Sequence, residues 1–331
     1  MNEATGTALQ LARRLAAEAG LPLPETVSSL NGGKNNRTFR VGDDCVLKVY
    51  HWDPRDPRDR LRAEWRFLSY AVAHGVRNVP RPLAQAEHTH AALYSLLPGR
   101  TLRAGEVTSA HVDAALDFLL AVNAAPREVL ALDPGSEACF SLGEHIATIE
   151  RRVVRLATID PSAPQRAAAE ALIRERLRPA WDKVSAALSR GASSDTLGPD
   201  EQCVSPSDFG FHNALVANET TSFIDFEYAG RDDPAKLVCD FFCQPEVPVP
   251  IVYMPGFLRR LMAGLGLSAR HEARARSLLD AYRVKWACII LNDFLPLGSA
   301  RRAHANLERS EQRAIRQLAR AEAKLDEIGQ R

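Results

Sequence analysis

The apolar period of this chain changes once, near residue 100, and that change limits the folds open to it. Before it, apolar residues alternate in short runs. Thr38-Phe-Arg-Val41 and Cys45-Val-Leu-Lys-Val-Tyr50 flank Gly42-Asp43-Asp44, which predicts a hairpin. Further strands are expected at 84–88 and 91–97, the second ending at Pro98-Gly99. An amphipathic helix precedes these runs (Leu9, Leu11, Ala12, Leu15, Ala16), and Pro22 and Pro24 break its pattern. A second helix is expected over 58–74, with Asp56 and Pro57 as its cap and first turn and Gly75 as its end. From Thr108 onward the spacing is helical, over 109–124, 142–157, 164–190, 255–265, 270–294 and 306–328. A Gly/Ser/Pro-rich connector at 191–199 leads into short strands among these helices. The expectation is an α+β chain with a β-rich part at 1–97 and a mainly helical part at 98–331.

Composition removes several classes of function. The 42 basic and 41 acidic residues leave a formal charge of +1, so neither a nucleic acid nor a membrane surface is an expected partner. No run of eighteen apolar residues occurs, so no membrane span is expected, and Arg13 and Arg14 interrupt the first helix too early for a secretion signal. The six Cys (45, 139, 203, 239, 243 and 288) form no CxxC pair and read as core thiols of a protein in a reducing cytoplasm.

Two acidic stretches carry the chemistry. Asp208-Phe-Gly-Phe-His-Asn213 has neither helical nor strand period, and Ile224-Asp-Phe226 follows after a hairpin-like run. One carboxylate placed to take a proton, beside an amide and a second carboxylate, is the oxygen set that Mg²⁺-assisted phosphoryl transfer needs. The alternative is two loop carboxylates that cap turns. Only six basic residues are Lys, and Lys48 lies in an otherwise apolar strand, where an ammonium must find a partner. Glu64 sits on the apolar stripe of the next helix with Leu61, Trp65, Leu68 and Val72, so it can meet Lys48; its other candidates are Arg60 and Arg62. Gly32-Gly33, followed by Asn36 and Arg37, would let backbone N–H groups approach phosphate, or is simply a hairpin turn. Ser95 and Leu97, where the strands give way to helices, could meet a flat base or belong to a plain edge strand.

The ordered set resembles the aminoglycoside phosphotransferase and choline kinase family, small-molecule phosphotransferases with a protein-kinase-like bilobal fold. The matching stretches are Leu30-Asn-Gly-Gly-Lys-Asn-Asn-Arg-Thr-Phe-Arg-Val41, Val46-Leu-Lys-Val49, Ser207-Asp-Phe-Gly-Phe-His-Asn213, Phe223-Ile-Asp-Phe-Glu-Tyr-Ala-Gly230 and Asp232-Asp-Pro-Ala-Lys-Leu-Val-Cys-Asp240. The resemblance implies ATP as phosphoryl donor, with GTP also open, and Mg²⁺. It implies that Lys48 contacts the phosphates, Glu64 holds Lys48, and Gly32, Gly33, Asn36 and Arg37 form the loop over them. Asp208 would be the catalytic base, Asn213 and Asp225 the Mg²⁺ ligands, and Asp240 a structural tie between loop and helix. Two positions depart from the family. Pro206 stands where a His usually precedes the base, and His212 where a Gly usually precedes the metal-binding Asn.

The expected acceptor is a hydroxyl of a small molecule, with a sugar, amino sugar or amino alcohol favoured. Tyr282, Trp286 and Phe294 do not share one face, which speaks against an aromatic box for a quaternary ammonium. The near-neutral charge speaks against a polycationic antibiotic. Lys285, Asn292 and Asp293 are either pocket-lining polar groups or local caps of a core helix, and Glu227 is a candidate for touching metal or acceptor. The competing reading is a nucleotide-binding pseudokinase that serves as an interaction or regulatory module, which Pro206 keeps open. The absence of an Arg-Asp dipeptide at the base and of a separate activation segment speaks against a protein substrate.

Overall fold

The computed structural model describes residues 3–30, 36–54, 56, 58–125, 129, 131–191, 196–296 and 311–330. Helix α1 (Glu3–Glu18) precedes three antiparallel strands, β1 (Val27–Leu30), β2 (Arg37–Val41) and β3 (Cys45–Val49). Helix α2 (Arg60–Ala73), β4 (Pro82–Ala86) and β5 (Ala91–Ser95) follow, and β5 pairs with both β3 and β4 to complete a five-stranded sheet in the order β1-β2-β3-β5-β4. The strand expected to run to His88 stops at Ala86, because Glu87–Thr89 turn as a 3-10 helix.

Alternation sorts the sheet into two faces. Phe39, Val41, Leu47, Ala84, Ala86, Ala91 and Leu93 pack on Ala8, Ala12, Leu15 and Ala16 of α1. Tyr50, Ala92 and Tyr94 face the other way, toward Leu61, Phe67 and Leu68 of α2, and join the large core of the C-terminal part. Lys48, one residue on from Leu47, therefore points at α2 rather than α1. The cap of α2 is Asp59, whose carboxylate accepts from Arg62 N at 3.0 Å. Asp56, expected there, binds Arg58 and Arg60 instead, and Pro57 lies outside the described residues.

The helical part follows the expected spans closely: α3 (Ser109–Val122), α4 (Leu142–Arg155), α5 (Arg166–Leu172) and α6 (Arg178–Gly191). A π-turn at Ile173–Leu177 joins α5 to α6. Four short strands then hold the acidic loops. β6 (Cys203–Ser205) pairs with β9 (Gly230–Asp232), and β7 (Ala214–Ala217) forms a hairpin with β8 (Thr220–Phe223). Asn218 and Glu219 turn that hairpin in the left-handed region, at φ 46° and 65°. Helices α7 (Pro234–Cys243), α8 (Met254–Gly264), α9 (Ala269–Leu291) and α10 (Glu311–Asp326) complete the chain. Helix α7 is absent from the periodicity reading.

The segment between the two parts is fastened to the hairpin. Arg100 N donates to Val216 O at 3.1 Å and Val216 N to Arg100 O at 2.9 Å. The approach is close enough that a Cβ on Gly99, at φ 129°, would stand 2.9 Å from Val216 O. Asn78, before β4, receives Phe223 N and donates to Thr221 O, so the sheet is tied to the hairpin twice.

Candidate active site

The site lies where β3 and α2 meet the turn after β8. Lys48 and Glu64 are both buried, 8% and 3% exposed. Lys48 Nζ donates to Glu64 Oε2 at 2.6 Å and to Asp225 Oδ1 at 2.5 Å, across 16 and 177 residues of sequence. The Glu64 pairing is with Lys48, not with Arg60 or Arg62. Glu64 is further held by Tyr50 Oη, which donates to Oε2 at 2.8 Å, and by Phe226 N, which donates to Oε1 at 3.3 Å. Tyr50 also bonds Tyr94 Oη at 2.7 Å. Burial opposes the charge on Lys48, but the carboxylates of Asp225, Glu64 and Glu227 outweigh it and hold the ammonium well above its ordinary value. Burial pushes Glu64 upward against the pull of Lys48, and the like charge of Asp225 adds to the rise.

Asp225 sits at φ 68°, a conformation that costs a non-glycine residue about 1 kcal/mol or more and persists only when its surroundings enforce it. Those surroundings are the Lys48 bond, Phe226 N on Glu64, and Ile224 N on Asn213 O at 2.9 Å. The last bond places the loop of Asp208 beside that of Asp225. Asn213 Nδ2 donates to the Asp208 carbonyl at 2.9 Å, which leaves Oδ1 as the remaining side-chain donor atom of Asn213 toward a cation. Ser207, at φ 64°, turns the chain between β6 and Asp208. Two hard oxygens on adjoining loops fit Mg²⁺, which takes few protein ligands and completes its shell with phosphate and water. Among the described residues no group of three or more His, Cys, Asp or Glu could hold a metal ion.

Other expected residues fall differently. Gly32 and Gly33 lie outside the described residues. Asn36, three residues after Gly33, bonds Glu227 through Nδ2 and accepts from His51 N at 3.2 Å. Ser95 N donates to Arg81 O, and the Ser95 hydroxyl accepts from Arg81 N, both at 2.9 Å, so both groups serve the strand end. Leu97 is half-buried just beyond. Glu227 is buried, bonded to Asn36 and 3.9 Å from Arg60 Nε. Arg60 is itself buried, bound to Asp56 Oδ2 at 2.7 Å and His51 O at 3.1 Å. Its place one helical turn before Glu64 was the signal for it. Tyr50, two residues after Lys48 on the same strand face, was as readable.

The polar residues of α9 and of the turn after it are bonded to other side chains. Lys285 Nζ bonds both Asp240 oxygens, at 2.9 and 2.8 Å, and Trp286 Nε1 joins them at 2.9 Å. Asp240 thus ties α7 to α9. Asn292 accepts from Arg155 at 2.7 Å, and Asp293 from Arg313 at 2.7 Å, so both reach other helices. Tyr282, Trp286 and Phe294 are all buried in the core.

Residues 26–278 match the sequence profile of a group described as the phosphotransferase enzyme family. No curated protein sequence matches the chain. A choline kinase from Cryptosporidium parvum Iowa II superposes with TM-score 0.56 at 11% identity, over 98% of this chain and 97% of that one. A spectinomycin phosphotransferase solved with ADP and spectinomycin gives TM-score 0.61 at 14% identity, over 95% and 93%. A macrolide 2'-phosphotransferase from Brachybacterium faecium gives 0.52 at 20%, over 98% and 99%. At these identities the likeness is one of fold.

Proposed function

The chain belongs to the phosphotransferase enzyme family, and from that premise we propose that it is a Mg²⁺-dependent kinase that moves the γ-phosphate of ATP to a hydroxyl of a small molecule. The observation that carries this reading is the single ammonium of Lys48 bonded at once to Glu64 and Asp225. An ammonium has three donors, and two are engaged; the third is left for a phosphate oxygen. Glu64, fixed by Tyr50 Oη and Phe226 N, holds Lys48 in place. Asn213 Oδ1 and Asp225 would hold the metal, which when bound neutralises charge on the phosphate oxygens. Asp208, 38% exposed on its side chain, orients the acceptor hydroxyl and accepts its proton. Catalysis is then positioning and charge neutralisation, with no covalent enzyme intermediate. A sugar, amino sugar or amino alcohol is the acceptor class this reading favours, and the cytoplasm the expected compartment; among the described residues no helix is long and apolar enough to cross a membrane.

The test is turnover of Mg-ATP with a panel of such acceptors. Asp208→Ala is expected to lower kcat by about 100-fold or more while nucleotide affinity stays near normal. Near-normal turnover in that variant would remove Asp208 from the role of base.

A further inference from the structure

His212, beside Asn213, has no task in this mechanism. Its ring lies over Gly210: a Cβ there would stand 2.8 Å from His212 Nδ1 and 3.1 Å from Cε1, so the imidazole uses space that only glycine leaves open. Nδ1 is cut off from solvent and has no hydrogen-bond partner among the described residues. Nε2 faces Asp208 Oδ1 at 3.4 Å. A ring nitrogen is attracted to a carboxylate oxygen only when it carries a proton, which places an N–H at Nε2; in the neutral ring Nδ1 is then a bare lone pair. The distance is long, but hydrogen bonds in ligand-free catalytic sites commonly tighten once the reacting complex forms. Two residues before Asp208 stands Pro206, which offers neither a side-chain donor nor an N–H.

We propose that His212 is a positioning residue for the base: its Nε2–H fixes the rotamer of the Asp208 carboxylate toward the acceptor. This rests on the reading of Asp208 as base. Asp208 and His212 are four residues apart in one loop, so the contact is local to that loop.

Two measurements test it. The first is hydrolysis of Mg-ATP without added acceptor, water taking the acceptor's place, in wild type, His212→Phe, His212→Gln, Gly210→Ala and Asp208→Ala. The second is the tautomer of His212 in the full chain with ¹⁵N-labelled histidine, its signal identified by loss in His212→Gln. Expected are a proton on Nε2, kcat lower by about tenfold in His212→Phe with KM for ATP within about twofold, and partial recovery in His212→Gln. Gly210→Ala, which pushes the ring away, should behave like His212→Phe. A bare Nε2, or a wild-type rate in His212→Phe while Asp208→Ala is impaired, overturns the proposal. Equal losses in His212→Phe and His212→Gln also overturn it, since they would point to packing alone. If Asp208→Ala hydrolyses ATP as fast as wild type, the base assignment fails and the proposal falls with it. Where hydrolysis is too slow to time, the tautomer decides.

Discussion

Lys48 binds together three parts of the chain that are remote in sequence. Half of this was legible beforehand. A rare Lys in an apolar strand and a Glu on the apolar stripe of the next helix had to meet, because neither charge could be buried alone. The contact with Asp225 was not legible, since nothing local couples residues 177 apart. Nor was the burial of Glu227, whose spacing from Asp225 suits a metal ligand as well as it suits the bond to Asn36. Replacing Lys48 by Ala removes the phosphate contact and leaves Glu64 and Asp225 without their shared cation. KM for ATP should rise about tenfold or more, the cost of losing a charge-assisted hydrogen bond. Steady-state kinetics on Lys48→Ala reads this directly, and unchanged ATP kinetics would contradict it.

Among the elements, the amphipathic helices and the N-terminal hairpin were readable because each keeps one wet face. Helix α7 keeps none. All ten of its residues are buried, so Pro234-Ala-Lys-Leu-Val-Cys-Asp-Phe-Phe-Cys243 shows no 3.6-residue contrast to detect. Its charges are matched by neighbouring elements: Lys236 pairs with Asp232 of β9, and Asp240 with Lys285 of α9. Its cap, Asp233, accepts from Arg274 at 2.7 Å and meets His145 Nε2 at 2.9 Å, while His145 Nδ1 meets Tyr282 Oη at 2.8 Å. Burial would discharge His145, but the bond to Asp233 outweighs it, helped by Cys139, and raises the imidazole to about 9. Asp233 is correspondingly lowered against the cost of its burial, so both partners favour the charged pair. A histidine whose folded value lies above its unfolded one stabilises fully below about pH 6.5 and loses that contribution as pH climbs through about 9. The melting temperature should therefore fall between pH 7 and pH 9.5, and His145→Gln should flatten that slope. A slope unchanged in the variant would assign it to other groups.

At the scale of the whole molecule the fold is protein-kinase-like and α+β, as the change of period near residue 100 and the resemblance together implied. The inner face of the sheet and α2 belong to the same apolar cluster as the helical part, with Phe67 stacked on Phe226 at 4.4 Å and Phe226 near Phe118 at 6.1 Å. Sequence patterning cannot show such continuity, since it marks apolar positions but not their partners. One consequence is that both parts should unfold together. Intrinsic tryptophan fluorescence and far-ultraviolet dichroism should trace one urea transition, and Phe226→Ala should shift both alike by about 3–5 kcal/mol. Two separated transitions would contradict a shared core. If Lys48, Glu64, Asn213 and Asp225 form a nucleotide and metal cleft, calorimetric titration of ATP into the wild type and Asp225→Ala, with and without Mg²⁺, should show Mg²⁺-dependent binding that disappears in the variant; ATP binding of equal strength in both proteins, or none in either, would contradict such a cleft.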